Sequence, residues 1–540
     1  MNFHRGQTSR MARLAAGGLM LGLIAMPAVA AMNCEDLVRV SLPDTTISKA
    51  ESAPAGSFTP PGAREIRNLP AFCRVTGTIK PVSDSDIRFE VWMPSSGWNG
   101  KFQGAGNGGF AGSISYPWLA AAISHGYASA STDTGHQGNG TDADWALKHP
   151  EKTVDFGYRA IHETAEKAKA IIRAFYGDAP KKSYFNSCSN GGRQALMEAQ
   201  RFPEDYDGII AGAPANFWTH LLTQAVWDLQ ATMQDSASYI PASKLPALES
   251  ATLAACDSHD GVKDGVIDDP SKCHFDPSVL LCKGADSDSC LTPPQLAALK
   301  KIYAGPRTSD GGQIMPGFPM GGETGPGGWG LWFTGKAPGT SLQFLFGTHF
   351  FQYMVYANPA WNFRAFNFGR DLKSVDDRLG PILNATNPDL TRFKEHGGKL
   401  ILYHGWSDAA IPAPNTIQYY ETVVRKMGAN NTEQFLRLYM EPGMQHCAGG
   451  PGPNDFGQFA PGEGDAQHNV GLALERWVEQ GVAPVEIIAT KYKTDGDHTS
   501  GVLRTRPLCP YPEVARWKGS GSADDAANFI CTKPAPEKSN

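Results

Sequence analysis

Along residues 35–215, two hydrophobic rhythms alternate. The stretch DIRFEVWMP (86–94) sets apolar and polar residues in turn, the period of a half-buried strand. GKFQGAGNGGF (100–110) reads as a strand entering a glycine-rich loop, and GYASASTDTG (126–135) as another strand entering a loop. In VDFGYRAIHETAEKAKAIIRAFYG (154–177) the positions Tyr158, Ile161, Ala165, Ala168, Ile171, Ile172 and Phe175 recur at helical spacing. KSYFNSCSNGG (182–192) is a short strand running into a tight turn, and RQALMEAQRFP a helix stopped by Pro203. DGIIAGAP (207–214) is a further apolar strand. Repeated β-α-β order predicts a parallel sheet with helices on both faces.

The rhythm lapses between residues 217 and 386. This stretch holds CDSHDGVKDGVIDDPSKC, the Gly/Trp-rich GGETGPGGWGLWF and the aromatic run FLFGTHFFQYMVY. It reads as an inserted domain. The strand-loop-helix pattern resumes at GGKLILYHGWSD (397–408), continues through TEQFLRLYMEPGMQHC (432–447), and closes with the amphipathic helix VGLALERWVEQG (470–481). The expected organisation is a catalytic domain over 31–216 and 387–540, with an insertion over 217–386.

Residues 1–30 read as a signal peptide. Arg5, Arg10 and Arg13 precede the apolar run Leu14–Met26, and AVAA (28–31) offers small residues for cleavage. The run is too short to span a hydrocarbon core of about 30 Å. A secreted or periplasmic protein is therefore expected, with no membrane attachment after cleavage. Export changes the reading of the ten cysteines, because an even count in an oxidising compartment implies disulfides. Three pairs are spaced as local staples: Cys256 with Cys273, Cys282 with Cys290, and Cys509 with Cys531. Cys34 with Cys73 could tie down the mature N-terminus, and Cys188 is left with Cys447. No C-x-x-C spacing favours zinc instead.

With 540 residues, 41% of them hydrophobic, the chain can bury a large core. A net charge of −6 without any long Lys/Arg run gives no reason to expect nucleic acid or an anionic membrane as partner.

Cys188 and Ser189 are two adjacent potential nucleophiles on the strand-to-helix turn. A nucleophile elbow needs small residues two before and two after the attacking group. Ser189 has Ser187 and Gly191 there, whereas Cys188 has Asn186 and Asn190, which fit worse. A serine needs a base and an orienting acid. Asp408 follows the strand KLILYHG and His446 follows FLRLYMEPGMQ, giving the order Ser, Asp, His of α/β-hydrolases. His404 is a rival base, but it precedes Asp408. The Asn190 N–H is one expected oxyanion donor, and the loop GAGNGGFAG (104–112) is the source of a second. In the acidic run, Asp257, Asp260 and Asp264 offer hard oxygen ligands at intervals of three and four. That favours calcium over zinc, although the run is no EF-hand.

SYFNSCSNGGRQALMEAQRFPEDYDGIIAGAPA, LYHGWSDAAIP, PGMQHCAGGPG and RTRPLCPYP together resemble the tannase and feruloyl esterase family. The resemblance covers nearly the whole mature chain. It implies an α/β-hydrolase with the 217–386 insertion as a lid, a triad of Ser189, Asp408 and His446, and backbone donors at Gly109 and Asn190. It implies a structural Ca²⁺ on Asp257, Asp260 and Asp264 with the carbonyls of Val262 and Val266, and it supports all five cysteine pairings. The substrate class it implies is a small aromatic ester, hydroxycinnamoyl in preference to galloyl. Terephthalate monoester hydrolysis is one alternative; a non-catalytic, calcium-stabilised secreted binding protein is another. Most aromatics of the lid runs are expected to be lid core, while Trp406 and Ala410, beside Asp408, could face the acyl site.

Overall fold

The structure, a computed structural model, describes residues 31–459 and 464–533. The signal peptide expected over 1–30 lies outside the described residues. The centre is a nine-stranded sheet. Its strands are β1 (Thr45–Ala53), β2 (Phe72–Ile79), β3 (Ile87–Pro94), β4 (Lys101–Ala105), β5 (Ala128–Thr132), β6 (Lys182–Cys188), β7 (Gly208–Gly212), β8 (Lys399–Gly405) and β9 (Leu436–Glu441). Their spatial order is β1-β2-β3-β5-β4-β6-β7-β8-β9. From β5 onward every neighbouring pair is parallel. The β1/β2, β2/β3 and β3/β5 pairs are antiparallel, so the sheet is mixed rather than wholly parallel. The reason is connectivity: β2 and β3 are joined by a short turn, which permits only an antiparallel pair.

The parallel strands are buried on both faces, as their continuous apolar runs require: Leu400, Ile401, Leu402 and Tyr403 are all inaccessible or nearly so. Helix α1 (Ala160–Tyr176) lays Ile161, Ala165, Ala168 and Ile172 on the sheet and ends at left-handed Gly177. Helix α2 (Asn190–Arg201) leaves β6 directly and is buried along almost its whole length. This is the α/β-hydrolase arrangement.

Everything between β7 and β8 is helix and loop. Helix α3 (Trp218–Met233) opens this insertion, α4 (Leu342–His349) packs against α3, and α5 (Asp371–Leu383) closes it. The Ala385 N–H donates to the Asn216 carbonyl at 2.8 Å, joining the two ends of the insertion at its base. The aromatic runs supply much of its interior, with Phe350, Phe351, Phe363 and Phe366 almost fully buried.

Five disulfides are present, in the pairing expected from the sequence. Cys34 is bonded to Cys73 and Cys188 to Cys447. Cys256 is bonded to Cys273, Cys282 to Cys290, and Cys509 to Cys531. Among the described residues, no helix is long and apolar enough to cross a membrane.

Candidate active site

The three loops that follow β6, β8 and β9 meet above the C-terminal edge of the parallel strands, where open α/β sheets hold their ligands. Ser189 sits at the β6–α2 turn with φ +68°. That strained conformation is fixed from both sides: its N–H donates to the Gly212 carbonyl at 3.0 Å, and its own carbonyl accepts from Ala215 N at 3.1 Å. The sharp turn also explains the glycines after it. A Cβ on Gly191 would lie 1.9 Å from Ser187 Oγ, and one on Gly192 2.3 Å from the Gly212 carbonyl oxygen.

Ser189 Oγ lies 2.9 Å from His446 Nε2, and His446 Nδ1 lies 2.8 Å from Asp408 Oδ2. Because Nδ1 faces a carboxylate, it carries the hydrogen, leaving Nε2 free to accept from the serine hydroxyl. Asp408 is buried, and four groups donate to it. Oδ1 accepts the N–H of Ala410 and Ile411, and Oδ2 accepts from both His446 and His404. Burial alone would raise its pKa, but the charge on His446 and the bonds from the two histidines outweigh that and hold it well below the usual carboxylate range. His404, the rival base, points away from the serine. Its Nε2 faces two acceptors, Asp408 Oδ2 and the Ile411 carbonyl, and its Nδ1 lies 2.7 Å from Thr416 Oγ1.

Of the bridged cysteines, only Cys188 and Cys447 border this relay. Their bond joins the residue before Ser189 to the residue after His446, with the two Cα atoms 6.0 Å apart. The other cysteines are structural and none of them lines the cavity around Ser189. Cys34 and Cys73 tie the N-terminal segment to β2. Cys256 and Cys273 bracket the acidic run of the lid, and Cys282 and Cys290 close a short lid loop. Cys509 and Cys531 fasten the C-terminal hairpin strands beyond the sheet.

Asn190 is the first residue of α2, so its N–H has no intrahelical partner. It lines one cavity together with Ser189 and Gly109. Gly109 has φ +55°, and a Cβ there would come within 2.1 Å of the Gly140 carbonyl oxygen, so only glycine fits. Two residues of α2 that the sequence motif left without a role brace the site, Gln194 holding this loop and Arg193 the start of α2. Gln194 exchanges hydrogen bonds with Asn107, whose Nδ2 also donates to the carbonyls of Ser113 and Thr132. Arg193, wholly buried, donates to Asn190 Oδ1 and to the carbonyls of Phe156 and Gly157, and lies over the Trp218 ring. With no carboxylate beside it, burial pulls its pKa down to about 9.

Above Ser189 the cavity is walled by Trp218, Leu221 and Leu222 of α3 and, across from them, by Phe318, Trp332 and Phe346. Trp332 stands edge-to-face with His446, ring centroids 5.3 Å apart. Ala410 lines the cavity, but Trp406 does not; it lines a separate cleft with Pro414, Pro507 and Tyr511. A polar cleft over β1 to β3, lined by Arg74, Lys80 and Glu90, contains none of these catalytic-type residues.

A model of the family described as tannase and feruloyl esterase matches residues 73–532. The chain belongs to the tannase and feruloyl esterase family. Within the family, an uncharacterised esterase of Xanthomonas campestris pv. campestris is 45% identical over 95% of this chain and 93% of its own. A mono(2-hydroxyethyl) terephthalate hydrolase of Piscinibacter sakaiensis is 35% identical over 88% of this chain and 87% of its own. The solved structure of feruloyl esterase B from Aspergillus oryzae superposes with a TM-score of 0.85 at 30% identity, over 92% of this chain and 99% of that one. Membership in this esterase family makes the chain a carboxylic ester hydrolase.

The acidic run of the insertion is where the sequence reading expects calcium. Asp260 Oδ2 and Asp268 Oδ1 are buried with no hydrogen-bond partner among the described residues, and burial raises both carboxyls. Asp257 accepts from the N–H groups of Asp264 and Gly265, which wraps the loop around it. Unsatisfied, all-oxygen donors of this kind suit a hard cation. Asp264 differs: its Oδ2 is paired with Arg504 at 2.8 Å and Arg506 at 2.6 Å. Asp268 is a further buried carboxylate in this run that the sequence reading did not name. These carboxylates do not by themselves gather in threes within 4.8 Å, as His162, Glu198 and Asp205 do elsewhere. The unsatisfied carboxylate oxygens of Asp260 and Asp268 fit a hard cation beside the expected ligand set of Asp257, Asp260 and Asp264 with the Val262 and Val266 carbonyls.

Proposed function

We propose that the chain is an exported serine esterase that hydrolyses esters of aromatic acids, hydroxycinnamoyl esters above all. The observation that carries this reading is the continuous hydrogen-bonded relay from Ser189 through His446 to Asp408, opening onto a cavity walled by Trp218, Phe318, Trp332 and Phe346. Ser189 Oγ attacks the ester carbonyl as His446 Nε2 takes its proton. The Gly109 and Asn190 N–H groups, with the N-terminus of α2 behind the second, stabilise the oxyanion. Collapse expels the alcohol, which receives the proton from His446. Water then attacks the acyl-enzyme by the same route and frees the acid.

A terephthalate monoester is the second reading, and the P. sakaiensis relative favours it. No Lys, Arg or His is among the cavity's lining residues, however, so a second carboxylate would be buried without a counter-charge. That argument ranks neutral phenolic acyl groups first. A Ca²⁺ in the lid loop would act as a hard cross-link between Asp257, Asp260, Asp264 and the Val262 and Val266 carbonyls, with Asp268 beside them and no part in the chemistry. Five disulfides and the basic-then-apolar N-terminus support export.

The test is Ser189→Ala, assayed on a p-nitrophenyl ester and on a panel of feruloyl, caffeoyl, galloyl and terephthaloyl esters. Wild type is expected to turn over feruloyl and caffeoyl esters fastest, and the variant to lose about 10⁴-fold or more in kcat. An inactive wild type, or a variant equal to it, removes the esterase reading in favour of a binding protein.

A further inference from the structure

The wall of the acyl cavity is apolar apart from Gly109, Ser189 and Asn190 at its floor and two amides above them, Gln224 on α3 and Gln343 on α4. Gln224 is wholly buried, and its Nε2 donates to the Pro316 carbonyl at 2.9 Å. A carbonyl oxygen only accepts, so this contact decides which end of the amide is nitrogen. The other end, Oε1, is buried and has no hydrogen-bond partner among the described residues. A buried acceptor left unmatched is a cost to the empty enzyme that a donor on the ligand removes.

The chemistry of that donor follows from the surroundings. Trp218, Phe318, Trp332 and Phe346 favour an aromatic ring, so what reaches Gln224 is a substituent on the ring edge. A carboxylate would bring acceptor against acceptor, and a methoxyl has no hydrogen to give; a phenolic hydroxyl donates. One turn along the same face of α3, Asp228 is also buried, with neither carboxylate oxygen partnered, and burial pushes its carboxyl well up. This face of the helix therefore disfavours anions.

We propose that Gln224 is a specificity-determining residue: Oε1 accepts a hydrogen bond from a phenolic hydroxyl on the acyl ring, so the enzyme selects hydroxylated over unsubstituted aromatic acyl groups. The assignment rests on the esterase reading above and names the ring substituent that reading leaves open. Recognition of this kind discriminates strongly, because the analogue lacking the hydroxyl leaves the site's own polar atom unpaired.

The experiment compares kcat/KM for methyl caffeate and methyl cinnamate, which differ only in the ring hydroxyls. Wild type is expected to prefer the caffeate by about 10-fold or more. Gln224→Met, with a thermal melt to verify folding, is expected to bring that ratio close to one, since it keeps the side-chain length and removes the acceptor. The wild-type ratio needs no variant, and equality there is enough to overturn the role. Equal turnover of both esters by wild type overturns the role of Gln224 while leaving the esterase intact, as does a ratio unchanged in a folded Gln224→Met protein. Turnover of neither ester overturns both.

Discussion

Asp408 does more than orient one ring. Its two oxygens receive four hydrogens, two from backbone N–H groups and one from each of two imidazoles, so the carboxylate has a single allowed placement. An amide there would set its NH2 either against both imidazoles, favouring the wrong His446 tautomer, or against the N–H groups of Ala410 and Ile411. Asp408→Asn should therefore lower kcat by about 10⁴-fold while KM for the same ester stays within a few-fold. A loss carried by KM would mean that Asp408 shapes the pocket rather than the base. That Ser189, Asp408 and His446 would come together was legible in the sequence because each follows an apolar strand bounded by Gly or Pro. Gln224 was not singled out, because WTHLLTQAVWDLQ also holds Thr219, His220, Thr223, Asp228 and Gln230, and no local spacing tells which of them meets the cavity.

At the level of elements, the catalytic strands read easily because their periodicity is local, whereas the lid did not. Trp329 and Phe333 pack in the lid core while Trp332, between them, faces the acyl cavity, and nothing in GGWGLWF separates them. Facing is decided there by long-range packing. The antiparallel strands at the β1 edge were missed in the same way, since pairing direction depends on connections rather than on residue period. The insertion also reaches the His446 loop: Gln445, next to His446, accepts from Gly327 N at 3.0 Å and donates to the Thr324 carbonyl at 2.6 Å. On the far side of that loop, Val266 of the acidic run touches the position of Gly443. A cation held by the run should thus stabilise the His446 loop as well as the lid. Protein stripped with EGTA is expected to melt several degrees lower than protein in millimolar Ca²⁺, since a ligand at 100 times its Kd adds about 2.7 kcal/mol. Metal analysis should find about one Ca²⁺ per chain, and Asp268→Asn should weaken the response. Identical melts with and without Ca²⁺ would remove the site.

For the molecule as a whole, the number of buried acids lacking a counter-charge fixes how stability depends on pH. Burial raises Asp133 and Glu323 to about 7 and pushes Glu198, Asp228 and Glu441 well up. Unfolded, such groups ionise near pH 4. As pH rises past that value the unfolded chain releases protons that the folded chain keeps, so each group's contribution is whole below about pH 4 and is lost as pH climbs through its folded pKa. Among the buried acids and histidines, two act in the other direction. Burial lowers His136 to about 4, so its contribution is present above about pH 6.5 and lost as pH falls from there. The depressed Asp408 loses its contribution only at lower pH still. These five raised carboxyls, joined by the raised Asp155, outweigh one lowered histidine even with the acidic run of the insertion left aside, which predicts a maximum of stability in mildly acidic solution and a Tm that falls steadily from pH 5 to pH 9 at constant ionic strength. Asp228→Asn isolates one contributor, because the amide matches the shape of the neutral carboxyl and cannot ionise in the unfolded chain. It should melt close to wild type at pH 5 and above it at pH 8, by about 2 °C or more. A difference that does not change with pH would mean that Asp228 is paired in solution and that the slope has another source.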